Sequence, residues 1–299
     1  MMTRLLFWLI LYPLSLLPLS VLYGIAYLFY LVTRYLLKYR KAVVVLNLQR
    51  SFPEKNEQEI KALEKNYYKH LAQIAAEMLK MLTMSRSQLK KRYHCVNPEL
   101  VNPYFEQGKS VILMSSHYNN WEWMILGLDE MFKHHGIGVG KPNSNKVFEK
   151  LINKARTRYG TEVVFADTVR QVFADNLAAR KPCAYMMLSD QSPANPDKSY
   201  KTTFLNQPSA MIYGSEYFSK KYDIPVFYYA VKKEKRGYYT IKLELITDKP
   251  QEESHGFICQ RYVELLESTI RQAPAFWLWS HRRWKHEIRS GELGVRNEK

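Results

Sequence analysis

Only three cysteines (Cys95, Cys183, Cys259) occur in 299 residues, widely spaced and odd in number. They form no disulfide framework and no zinc spacing, and such usage agrees with a reducing compartment. No His-Glu-x-x-His, zinc finger, RNP-type run, repeat or low-complexity tract is present, so no metal and no cofactor is expected. Gly136-Ile-Gly-Val-Gly-Lys-Pro142 is not a nucleotide fingerprint, because Pro142 stands where a helix should begin. Acidic residues are scarce too. With 28 of them against 44 lysines and arginines, the chain carries a net charge of +16. Such a chain seeks polyanions, and an anionic membrane surface or an acidic carrier protein fits it better than nucleic acid.

Charge is missing altogether from Leu5 to Thr33, about 29 residues or roughly 43 Å as helix, more than the roughly 30 Å of a hydrocarbon core. No small-x-small site closes the run, so a cleaved signal peptide fits poorly. Residues 1–38 are therefore expected to be a membrane anchor, by composition a transmembrane helix. Pro13 and Pro18 leave open a kinked span or a re-entrant pair of short helices. Arg4 precedes the run, while Arg34, Lys38, Arg40 and Lys41 follow it. The positive-inside rule then places residues 39–299 in the cytoplasm.

Beyond the anchor, apolar and aromatic residues recur at Ile60, Leu63, Tyr67, Leu71, Ile74 and Met78, which predicts a helix from about Glu57 to Leu82 capped by Asn56. Strands are expected at 111–114, 136–140, 161–165, 183–188, 226–232 and 238–246. Helices are expected at 121–132, 148–159, 169–179, 209–222 and 257–271. This alternation predicts an α/β fold, a mostly parallel mixed sheet flanked by helices, with ligands gathering at the carboxyl ends of the strands.

Against that frame the stretch Val111-Ile-Leu-Met-Ser-Ser-His117-Tyr-Asn-Asn-Trp-Glu122 carries the most chemistry. A histidine at the mouth of a buried strand, with a carboxylate just inside the next helix, is a ready general base. The spacing alone is cheap: about one His-x4-acid match is expected by chance, and the chain holds two. The other, His94/Glu99, contains Pro98 and has no strand delivering it to a pocket; it reads as a surface pair. Asp190 also follows a buried strand, so His117 and Asp190 are expected at the same edge of the sheet.

These residues resemble the bacterial lipid A late acyltransferases, within the wider glycerophosphate and lysophospholipid acyltransferase fold. The resemblance rests on His117-Tyr-Asn-Asn-Trp-Glu122, Asn47-Leu-Gln-Arg-Ser-Phe-Pro53, Lys141-Pro-Asn-Ser-Asn145, Arg156-Thr-Arg-Tyr-Gly160, Asp190-Gln191, Thr203-Phe-Leu-Asn-Gln-Pro208 and Trp279-Ser-His-Arg-Arg-Trp-Lys285. Asn119 replaces a usual glycine, which asparagine tolerates at positive φ. Lys141 replaces a common arginine and cannot contact a phosphate bidentately.

The resemblance implies a membrane-bound O-acyltransferase. It would move a fatty acyl chain from acyl carrier protein to a hydroxyacyl group of a lipid A precursor at the cytoplasmic face of the bacterial inner membrane. His117 would be the base and Glu122 its orienting partner, with Lys141, Asn145, Arg156, Arg158, Asp190, Arg282 and Arg283 binding substrate. Backbone N–H groups after His117, or Arg156 or Arg158, would meet the oxyanion. Two other readings remain: acylation of another membrane lipid, and a catalytically silent membrane-anchored binding protein.

Overall fold

A computed structural model describes residues 2–289 and Leu293. Its centre is a seven-stranded sheet of β1 (Tyr93–Cys95), β2 (Val111–Ser115), β3 (His135–Gly140), β4 (Glu162–Phe165), β5 (Cys183–Leu188), β8 (Val226–Lys235) and β9 (Tyr238–Thr247). The spatial order is β1-β9-β8-β2-β5-β3-β4, and every neighbouring pair is parallel except the β8/β9 hairpin. Two continuous apolar runs, Val111-Ile-Leu-Met and Cys183-Ala-Tyr-Met-Met, lie side by side in its middle and are buried along their length. Strands covered on both faces by helices need such continuous apolar sequence. Two glycines of β3 serve packing: a Cβ on Gly136 would sit 2.5 Å from Leu128 Cβ, and one on Gly138 2.9 Å from Ile125 Cδ1, both in the helix Trp121–Met131 that crosses the strand.

One expected element is corrected. Residues 209–222 are not a single helix, because Gln207–Ile212 forms strand β7, antiparallel to β6 (Ser199–Phe204), and the helix begins only at Gly214. The reversal sits at Leu205 (φ 48°) and Asn206 (φ 63°), two consecutive left-handed residues that give the twist a two-residue hairpin needs. The long helix Glu57–Met81 is where its periodicity placed it. Asn56 accepts from the Glu59 N–H at 3.0 Å while Glu59 accepts from the Asn56 N–H at 2.9 Å.

The apolar N-terminus is two helical pieces, Met2–Leu16 and Leu19–Leu36, separated at Leu17-Pro18. Leu19–Leu36 is the one helix among the described residues long and apolar enough to cross a membrane by length and composition. One side of it is a packing face: Leu19, Leu22, Tyr23, Ala26 and Tyr30 are buried, at helical spacing, against Glu57–Met81. Tyr23 donates to Glu77 at 2.7 Å and Arg34 to Glu64 at 2.6 Å, which fixes the two helices antiparallel.

Asn56→Ala removes one half of the cap that starts this central helix. Denaturant unfolding should show a loss of about 1 kcal/mol, with the m-value unchanged because no new surface is exposed.

Candidate active site

Register brings the first two groups together. In the β2/β5 pair Ser115 lies opposite Leu188, so the residues two further on, His117 and Asp190, leave neighbouring strands at the same level. His117 Nδ1 is 2.8 Å from Asp190 Oδ1, and the His117 backbone N–H donates to Asp190 Oδ2 at 3.1 Å. Trp277 Nε1 donates to the same Oδ2 at 2.9 Å. Burial alone would raise the Asp190 pKa. The adjacent imidazole and the N–H donors outweigh it and hold the carboxyl below its ordinary value. With Nδ1–H directed at Asp190, the lone pair is on Nε2, where Gln191 Nε2 donates at 3.2 Å. Nε2 faces a cavity of about 760 Å³ at the carboxyl ends of β2, β3 and β5.

The carboxylate on His117 is therefore Asp190 and not Glu122, as the spacing had suggested. Glu122 is buried in the first turn of Trp121–Met131, and both its oxygens face Arg156: Nη2 to Oε1 at 2.6 Å and Nε to Oε2 at 2.7 Å. The Arg156 guanidinium, brought alongside by the Lys146–Arg156 helix, takes up both oxygens and leaves none for His117. Burial works to lower the pKa of Arg156, but its bonds to Glu122 prevail and raise it. Lys141 and Arg170 also line the cavity, giving it three cations beside Glu122 and Asp167. The remaining wall is apolar, with Ile125, Val139, Val163, Met187, Ile212 and Phe218.

The loop holding His117 is fixed from behind. Asn119 has φ 58°, the left-handed conformation its chemistry tolerates, and it donates through Nδ2 to Val231 O at 2.8 Å. Asn120 caps the following helix by accepting from the Trp123 N–H at 3.0 Å, and its Nδ2 donates to Glu77 at 2.7 Å. Glu77 is fully buried and also accepts from Tyr23 and Tyr239, each at 2.7 Å. Burial pushes its carboxyl upward despite these three donors. Of the backbone donors expected for an oxyanion, the Asn119 N–H is bound to Phe276 O, and the Trp123 N–H is held by the cap.

The other expected binding residues divide. Lys141 and Arg156 reach the cavity. Asn145 caps Lys146–Arg156 and bonds to Thr3 Oγ1 at 3.2 Å. Arg158 does not reach the cavity: its guanidinium is held by the carbonyls of Leu82 and Met84, past the end of the Glu57–Met81 helix. Arg282 is exposed. Arg283 is 2% exposed, lies 5.5 Å from the Phe204 ring centre, and is pushed down to about 10 by burial, so it belongs to the packing and not to a surface. Its block docks on two others. Asn47 Nδ2 donates to the carbonyls of Trp279 and His281 at 2.9 and 3.0 Å, Asn206 donates to Ser51 O at 3.1 Å, and Trp284 donates to Ser209 at 2.8 Å. His94 and Glu99 are exposed, away from the cavity.

Sequence reasoning overlooked Trp277, Glu77, Asp167 and Arg170. Gln191 was noted beside Asp190 without a role. Only Trp277 had a local signal, its place next to the aromatic closing block.

The mostly parallel α/β sheet thus presents a carboxylate-bound imidazole at a cavity lined by both charged and apolar side chains. The chain belongs to the bacterial lipid A biosynthesis acyltransferase family, whose profile matches residues 1–286. It is an acyltransferase of lipid A biosynthesis, and the family implies a lipid A precursor as acceptor. No curated protein matches the chain.

Asp190→Asn keeps the shape of the pair but can reverse the hydrogen bond at Nδ1 and so deliver the wrong tautomer. Steady-state kinetics should show kcat lower by about 10⁴-fold with KM little changed.

Stability should also track buried histidines. Burial lowers the pKa of His134 and of His281 to about 4, and lowers that of His70 as well. As pH falls from about 6.5 towards 4, the unfolded chain takes up protons that the folded chain does not, so stability declines across that window. Glu77, with its raised pKa, works in the opposite sense. Thermal melts should therefore show a shallower fall in Tm between pH 6.5 and 4 for His134→Gln/His281→Gln than for the wild type.

Proposed function

We propose that this chain is a membrane-bound O-acyltransferase. It moves a fatty acyl chain from acyl carrier protein to the hydroxyl of a hydroxyacyl chain on a lipid A precursor, at the cytoplasmic face of the inner membrane. The observation that carries this is His117, which lines a cavity of both charged and apolar side chains, with Nδ1 tied to a buried carboxylate and Nε2 held, among the described residues, by Gln191 alone.

His117 Nε2 takes the proton from the acceptor hydroxyl as its oxygen attacks the thioester carbonyl. Asp190 holds the tautomer and stabilises the imidazolium that forms. The tetrahedral intermediate collapses by breaking the C–S bond, and the imidazolium returns the proton to the departing thiolate. The products are an ester and a free thiol, with no enzyme-bound acyl group. Gln191 occupies the Nε2 position in the empty site and gives way to the acceptor hydroxyl.

In this reading Glu122 acts through Arg156. A guanidinium gripped by two carboxylate oxygens loses little freedom when its outward N–H groups meet an oxyanion or a phosphate. Lys141 and Arg170 extend the positive wall for the phosphates of the glucosamine disaccharide. The apolar side chains across the cavity take up acyl chain. A carrier protein, being acidic, suits a surface of net charge +16.

Mass spectrometry of total lipid A tests this, comparing cells lacking the gene, cells complemented with the wild type, and cells complemented with His117→Ala. One acyl chain should be missing from the first and third and restored in the second. Lipid A identical in all three, with a change in a phospholipid or aminolipid instead, would move the acceptor to that lipid. No change in any lipid would leave only a binding role.

A further inference from the structure

The segment Leu5–Thr33 has the length and apolarity of a bilayer crossing, but its contacts are those of a helix laid down on a water-soluble domain. Three fixed points give its course. Arg34 meets Glu64, Tyr23 meets Glu77, and the carbonyls of Ser15 and Leu17 meet the Lys80 ammonium, each at 3.0 Å. The segment thus runs antiparallel to Glu57–Met81 for most of that helix. Beyond the break it continues to the Lys146–Arg156 helix at the cavity, where Thr3 meets Asn145.

Those partners cannot enter hydrocarbon with it. Lys80 is at the centre of the uncharged run, because Pro18 ends the first helix there and Lys80, with Thr83, binds the carbonyls that the break leaves open. In a crossing this ammonium would lie near the bilayer midplane, where a charge is costly and rare. The Arg236 guanidinium stacks over the Tyr23 ring at 4.5 Å, and Lys65 projects from the supporting helix into solvent. Arg236 would be carried in at similar depth, and Lys65 nearer the end of the run, beside Glu64 and Arg34.

The opposite side of the segment is bare. Most of the large hydrophobic side chains exposed among the described residues fall before residue 40, Leu9 at 70%, Leu28 at 63% and Leu36 at 75% among them. They form one outward face along both helical pieces. Exposed Arg4, Lys38 and Lys41 stand near its ends, where anionic headgroups would lie. An apolar strip flanked by cations is the pattern of a helix lying in a membrane interface.

We propose that residues 2–37 form an in-plane seat, with the outward face of both helical pieces sunk into the cytoplasmic leaflet of an anionic bilayer and neither piece crossing it. The inference rests on the membrane-bound reading above. It places the cavity beside the leaflet, so the acceptor lipid reaches Arg156 and His117 without leaving the membrane surface.

Depth measurement decides it. In the full chain carrying Cys95→Ser, nitroxide labels are placed one at a time at Met2→Cys, Leu16→Cys, Leu28→Cys and Leu37→Cys, all exposed positions. The protein is reconstituted in phosphatidylethanolamine/phosphatidylglycerol vesicles. Relaxation by oxygen against a nickel chelate should report all four labels within about 10 Å of the headgroup boundary, on the side that carries the catalytic domain. Leu28 near the midplane with Met2 and Leu37 on opposite sides would establish a crossing, and Leu16 at the midplane a re-entrant loop. Either overturns the seat while leaving a membrane-bound acyltransferase intact. A chain that stays in the aqueous fraction overturns both.

Discussion

The buried Asp190 carboxylate is the constraint on which the site depends. It lies at the end of a central strand with no arginine or lysine among the described residues bonded to it, and is satisfied by the His117 ring, the His117 backbone and Trp277. An anion so placed must gather donors or lose its charge. Its donors fix two parts of the chain: His117, through both ring and backbone, in the loop after β2, and the turn that leads into the closing aromatic block. Catalytic geometry and the folding of the C-terminal region are therefore one requirement. The Asn47 and Thr203 stretches, far apart in sequence, then lock that region in place.

Much of this arrangement was legible in the residues. Continuous apolar runs announced β2 and β5, and their common role as ends of parallel strands placed His117 and Asp190 at one edge of the sheet. What the sequence could not convey was which carboxylate the histidine would choose. That depends on the β2/β5 register, a long-range property set by packing of both sheet faces, whereas His-x4-Glu is a local spacing whose geometry turns on the loop between. The β6/β7 hairpin was missed for a related reason. Gln207–Ile212 has no helix-breaking residue after Pro208, and only its pairing across the left-handed Leu205-Asn206 turn makes it a strand. The same limit applies to Arg158 and Arg283, whose sequence neighbourhoods look like phosphate ligands. One is used for helix carbonyls and the other for packing beside Phe204.

Glu122 shows how a family motif can be right in composition and different in geometry from a first reading. It sits where a pocket needs a fixed cation, and its two oxygens hold the planar guanidinium of Arg156 in a fork that lysine could not make. Charge at the cavity is thereby divided into two units, an imidazole with one carboxylate and a guanidinium with another. Proton transfer asks for a mobile proton on Nε2; charge stabilisation asks for a donor that never gives its proton up. Keeping one carboxylate on each prevents either cation from weakening the other's partner.

A second buried carboxylate ties this chemistry to the N-terminal helix. Glu77 receives Tyr23 from that helix, Asn120 from the histidine loop and Tyr239 from β9, all at 2.7 Å. The same peptide contributes its carbonyl to Trp123 Nε1 at 3.0 Å. Detaching the helix would leave one of the three donors on a fully buried acid missing, at a cost of order 1–3 kcal/mol, and would loosen the residue that caps the helix bearing Glu122. The apolar segment is thus more than a tether that raises the local concentration of enzyme at a surface. Its inner face supplies a donor to the acid that braces the His117 loop, while its outer face is exposed and apolar.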